Sequence, residues 1–103
     1  MRMQSNNREK RITKVKKKIR PLLEMFGVKR ASLFGSFVRD DFSKKSDVDI
    51  LVEFPEEKSL LDLVHLEREL KQELGRKVDL VTYASIHSLL KDSILSEEVP
   101  IFP

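Results

Sequence analysis

Cysteine is absent from the 103 residues, so neither a disulfide nor a thiolate metal site can brace this fold, and a reducing cytoplasm suits it. No apolar run approaches the roughly 20 residues that span a bilayer, which argues against a membrane helix. The opening stretch MRMQSNNREKR is basic and has no apolar core, so it does not read as an export signal. Internal repeats and low-complexity linkers are missing too. At this length the chain is expected to form one domain, 1–103, around a single modest core, with residues 1–10 a flexible basic tail.

Charge is plentiful but unevenly spread. Residues 1–30 carry a balance of +9 and the remainder −6, giving the net +3. Such an end can attract RNA, DNA or an acidic partner. No aromatic residue interleaves with "KVKKKIR" to stack on bases, so a solvated helix face is the plainer reading.

Hydrophobic spacing divides the chain into alternating elements. Ile12, Val15, Ile19, Leu22 and Phe26 recur at three- and four-residue steps, predicting an amphipathic helix over 9–26. Pro21 should kink or restart it, and Gly27 should cap it. "RASLFG" predicts a strand at 30–34, and residues 48–54 a second that stops at Pro55. Ser59 can cap a helix with the stripe Leu60, Leu63, Leu66, Leu70 and Leu74, ended by Gly75. A third strand is expected at 77–83. Ser85 can cap a last helix reaching about Leu95, with Ile86, Leu89, Leu90 and Ile94 available to the core. "VPIFP" then reads as a short extended segment lying on the body. The order predicts an α/β (α+β) fold, a small mixed sheet of three to four strands packed with helices.

The chemistry concentrates in "SLFGSFVRDDFSKKSDVDILVEF", residues 32–54. Residues two apart on a strand share a face. Asp47, Asp49, Leu51 and Glu53 should therefore point one way, and Val48, Ile50, Val52 and Phe54 the other. Asp79 interrupts the third strand in the same manner. Carboxylates gathered on one sheet face repel each other, and desolvation raises their pKa values. A divalent cation relieves both costs, and Mg²⁺ commonly sits between one or two carboxylates and substrate phosphates. Three aspartates can hold two such ions, about 3.5–4 Å apart, as in in-line phosphoryl chemistry. Gly35-Ser36 supplies the complementary half if it turns into a short helix near Phe37. Its backbone N–H groups, the Ser36 hydroxyl and the fork of Arg39 would then form an anion cradle beside the cation site.

This arrangement resembles the signature of the DNA polymerase β-like nucleotidyltransferase superfamily: Gly-Ser, a gap, then Asp-x-Asp at a strand start. "RKVDLVTYASIHSLLKDSILSEEVPIF" is similar to the third-aspartate strand and tail of the minimal nucleotidyltransferase (MNT-domain) proteins. The resemblance covers roughly Pro21 to Phe102. It implies the nucleotidyltransferase fold, with Asp47, Asp49 and Asp79 as catalytic residues and ligands of two Mg²⁺ ions, and Asp79 also helping to deprotonate an attacking hydroxyl. Gly35, Ser36 and Arg39 would hold the β- and γ-phosphates of ATP. It further implies a helical HEPN-type ribonuclease toxin as partner, with this chain as antitoxin adding AMP to it in the cytoplasm. A hydrophobic patch around "VPIFP" or the helix ends would be the docking surface. Two departures stand out: Asp40 follows Arg39 where relatives often have glycine, and Tyr83 stands where many have proline, a change expected to affect only the loop. Glu53 shares the acid face but lies two pleats beyond Asp49, which argues against a direct metal role; His65 and His87 read as structural or surface residues, and Phe26, Phe34, Phe37, Phe42, Phe54 and Phe102 as core or interface. The alternatives are an antitoxin of the same fold acting by contact alone, to which Asp40 lends some support, and a nucleic-acid-binding protein led by the basic end.

Overall fold

The computed structural model describes residues 3–39, 47–86 and 88–102. Asp40, Phe42 and His87 lie outside the described residues.

Helix α1 runs Met3–Met25, beginning six residues before its expected start at residue 9. Residues 4–10 contain no glycine, proline or β-branched residue, so nothing in the backbone opposes extending the helix past its buried face. The buried side chains are Ile12, Val15, Ile19 and Leu23. Leu22, expected in the stripe, is only half-buried, because the 3.6-residue period carries the face from Ile19 to Leu23. Pro21 lies inside this helix rather than starting a new one. Its side is exposed, and packing on both sides of it outweighs the lost backbone donor.

Strands β1 (Arg30–Phe34), β2 (Val48–Glu53), β3 (Val78–Thr82) and β4 (Val99–Phe102) form one sheet in the order β3-β2-β1-β4. β2 and β3 are parallel, while β1 is antiparallel to both β2 and β4, so the sheet is mixed. The terminal "VPIF" is thus an edge strand, with Ile101 buried. Helix α2 (Leu60–Leu74) makes the β2–β3 crossover. Its capping box is closed in both directions: Ser59 N donates to Asp62 Oδ2 at 2.8 Å, and Asp62 N donates to Ser59 Oγ at 3.4 Å. Gly75, at φ 66°, ends the helix with its N–H on the Lys71 carbonyl.

The core lies between one sheet face and the two long helices. Ala31, Leu33, Val48, Ile50, Val52 and Val78 meet Ile12, Val15, Ile19 and Leu23 of α1 and Leu66 and Leu70 of α2. The α2 stripe fails at its first member. Leu60 is 75% exposed, as are Leu61 at 63% and Val64 at 46%, since the first turn of α2 lies outside the cover of α1 and the sheet. Helix α3 (Ser88–Glu97) starts later than expected. Ser85 does not cap it, because its hydroxyl donates to the Thr82 carbonyl in a short 3-10 turn, Tyr83–Ser85. Among the described residues no helix is long and apolar enough to cross a membrane.

Candidate active site

β1 ends at Phe34, and its register partner on β2 is Asp49; on the other side Asp49 pairs with Asp79 of β3. Three neighbouring strands therefore bring the Gly-Ser turn and two aspartates to one edge of the sheet. Asp47 lies one residue before β2, two residues from Asp49 and on the same face. Gly35 follows at φ +76°, and a methyl group built on it would collide with Asp49 Oδ2. Only glycine allows the turn to pass this close to the carboxylate, in a backbone conformation L side chains rarely adopt.

Asp49 is the strained acid. Burial first, then the charges of Asp79 and Asp47, push its carboxyl up to about 6, while Arg39 acts in the opposite sense and Glu97 adds to the rise. Among the described residues no three acidic, imidazole or thiol side chains form a ready-made metal cage. The donor set nevertheless fits Mg²⁺. Asp47, Asp49 and Asp79 supply hard oxygens whose mutual repulsion a cation would relieve, and this ion completes its shell with water and phosphate rather than with protein alone.

The turn after β1 is a single 3-10 turn of four residues, Gly35–Val38. It is too short to carry much of the dipole expected at a helix N-terminus, and arginines brace it instead. Arg8 Nε donates to the Val38 carbonyl at 2.6 Å, and Arg11 donates through Nε to the Phe37 carbonyl at 3.0 Å and through Nη2 to the Arg39 carbonyl at 3.1 Å. The basic end of the chain thus holds this turn from behind, a role no local pattern announced. Phe37 itself is buried, with the guanidiniums of Arg11 and Arg76 5.4 and 5.7 Å from its ring centre.

The front of the turn is occupied by an unforeseen residue. Glu97, the last residue of α3, accepts from Gly35 N–H at 3.3 Å and from Arg39 Nη1 at 3.1 and 3.3 Å. Arg39 and Glu97 also border a wide hollow of about 700 Å³ shared with Arg8 and Glu98, which none of the three aspartates lines.

Tyr83 does more than shape a loop. Its hydroxyl lies 3.1 Å from Ser32 Oγ and donates to Glu98 Oε1 at 2.9 Å. To reach Ser32 from the end of β3, the ring crosses β2 at the level of Leu51, the register partner of Ser32. Leu51, expected on the face of the acids, is fully buried. The Arg30 guanidinium sits 3.9 Å from the Tyr83 ring centre. Burial raises the tyrosine's pKa, with Glu98 adding to the rise. Glu53 pairs with Arg30 at 3.6 Å, away from the aspartates, and His65 is exposed on α2.

The family model described as Nucleotidyltransferase domain matches residues 12–101. A Methanocaldococcus jannaschii protein, provisionally named a protein adenylyltransferase, is 58% identical over 90 residues, 87% of this chain and 97% of that one. The protein adenylyltransferase MntA of Thermococcus cleftensis is 44% identical over 88 residues, covering 85% and 86%. A crystal structure of a toxin–antitoxin with AMP-PNP superposes at a TM-score of 0.74 with 25% identity, covering 84% of this chain and 72% of that one.

Proposed function

Since the chain belongs to the nucleotidyltransferase domain family, we propose that it transfers AMP from ATP, with Mg²⁺, to a hydroxyl of a partner protein, releasing pyrophosphate. The observation that carries this reading is the interlock of Gly35 with Asp49, which brings the Gly-Ser turn directly against a carboxylate. The adenylyltransferase names of the two relatives support AMP as the transferred group.

In this mechanism the amides of the Gly35–Ser36 turn, the Ser36 hydroxyl and Arg39 bind the β- and γ-phosphates and set the α-phosphorus against the aspartates. Held by Asp47, Asp49 and Asp79, Mg²⁺ would neutralise charge on the α-phosphoryl and pyrophosphate oxygens. The acceptor oxygen forms its bond to the α-phosphorus as the bond to the β-bridging oxygen breaks. Asp79, exposed at the β3 edge, takes the hydroxyl proton.

On this reading the acceptor belongs to a second protein, as the protein adenylyltransferase names of the relatives support. A HEPN-type toxin is the partner this reading names, supported by the toxin–antitoxin structure that shares the fold. In the "VPIFP" segment Ile101 is buried in β4, while Pro100 is exposed. Among the described residues the exposed large apolar side chains stand at the end of α1, Met25, and near the start of α2, Leu60, Leu61 and Val64.

The test mixes the protein with ATP, Mg²⁺ and the protein encoded beside it, then weighs both chains. An AMP adduct on the neighbour is expected, and Asp47→Asn or Asp49→Asn should abolish it. A tight but unmodified complex would instead make this an antitoxin that works by contact alone.

A further inference from the structure

Two of the donors that the proposed function assigns to phosphate, the Gly35 amide and Arg39, are already engaged by a carboxylate of this chain. Glu97 lies 62 residues from Gly35 and 58 from Arg39, yet its Oε1 accepts from both the Gly35 amide and Arg39 Nη1, and its Oε2 accepts again from Arg39. A carboxylate and a phosphate present similar paired oxygens to a guanidinium. Little in α3 itself favours an acid at this point. Glu97 is the final residue of the helix, where the negative end of the helix dipole disfavours a carboxylate, and its charge is one of those that raise Asp49. What holds it is the turn and Arg39.

We propose that Glu97 is a built-in placeholder for the triphosphate. It keeps the Gly35 amide and Arg39 aimed at a common point before nucleotide arrives, and the incoming phosphate chain displaces it. The inference rests on the phosphate assignment made above. Exchange is easy because both partners are part-exposed, 47% for Arg39 and 29% for Glu97, and pairs of that kind are weak. A triphosphate brings several negative charges to the donors where Glu97 brings one. Displacement would also release the joint between α3 and β4, since Glu97 is separated from β4 only by Glu98.

Calorimetric binding of inorganic tripolyphosphate and of ATP to the full chain tests this. Glu97→Gln keeps the shape and an accepting oxygen but removes the charge. It should bind both ligands about five-fold more tightly, the scale of one part-exposed ion pair, and the gain should vanish when Arg39→Ala is added. Equal or weaker binding by Glu97→Gln overturns the proposal, as does a chain to which tripolyphosphate does not bind at all. Should the variant not fold, the wild-type protein decides. Added tripolyphosphate should speed amide hydrogen exchange across residues 95–99, and unchanged or slower exchange there counts against displacement. No step of these measurements reads AMP transfer. A chain that never modifies a partner can still show the placeholder, and one that transfers AMP with unaltered tripolyphosphate affinity in Glu97→Gln retains the function and loses the placeholder.

Discussion

Asp49 is placed where its charge is costly. It is half-buried, faces two other aspartates, and has a carboxyl raised from 3.8 to about 6. A raised acid pKa means that folding favours the protonated form, so the cost is absent below the unfolded value and grows as pH rises through the window from 3.8 to about 6. Taken at face value the shift corresponds to about 3 kcal/mol. Solvent reaches half of the group, which reduces this to about 1–2 kcal/mol. Asp49→Asn removes the ionisation and keeps the size. In chelator-treated buffer the variant should match the wild type near pH 3 and exceed it by about 1–2 kcal/mol above pH 7, measured as urea midpoints across pH. The same variant should lose AMP transfer entirely. A variant no more stable than wild type at pH 8 would mean that the carboxylate is not strained by its neighbours. That Asp47 and Asp49 share a face was legible from strand alternation, because a period of two leaves little freedom; that Asp79 stands beside Asp49 came only with the β2–β3 register.

Elements far apart in sequence were much harder to read. Strands β1, β2 and β3 fall within a residue of their expected limits, since alternation and flanking glycine and proline mark them locally. Tyr83 on Ser32, Glu97 on Gly35, and Arg8 and Arg11 on the turn are contacts made only when distant elements pack, at separations of 26 residues or more. No spacing rule encodes them. The helix α1 shows the difference most clearly. Its basic residues looked like a solvated face or a nucleic-acid patch, yet Arg8 and Arg11 close the carbonyls of Phe37, Val38 and Arg39. These carbonyls end a 3-10 turn and would otherwise rely on water. Replacing both arginines by alanine should cost about 1–2 kcal/mol in stability, as charge-assisted but part-exposed hydrogen bonds do, and should raise KM for ATP several-fold while changing kcat less. Arg11→Lys should rescue little, because one ammonium lacks the fork that reaches two carbonyls. Unchanged KM in the double variant would show that the turn holds its shape without them.

At the scale of the whole molecule, α1 is both the basic element and half of the core's cover. Ile12, Val15, Ile19 and Leu23 are buried against the sheet and α2, while Lys10, Lys14, Lys17 and Lys18 on the same helix are exposed. The charge asymmetry of the sequence therefore cannot be separated from the fold by deletion. Loss of four large buried aliphatic side chains costs roughly 2 kcal/mol or more apiece, and domains of this size have only about 5–15 kcal/mol in total. A chain beginning at Gly27 should consequently be unfolded at 25 °C, with a collapsed proton NMR dispersion and no cooperative melt. Any nucleic-acid affinity of the basic end has to be tested on the intact fold, by changing Lys10, Lys14, Lys17 and Lys18 to glutamine. Those four side chains contribute nothing to the buried stripe, so the melt should stay within a few degrees of wild type while four positive charges disappear. RNA or DNA binding that persists with the same salt slope in this variant would show that these lysines make no phosphate contacts. A dispersed, cooperatively melting spectrum from the chain lacking α1 would show that the sheet and α2 close the core without it.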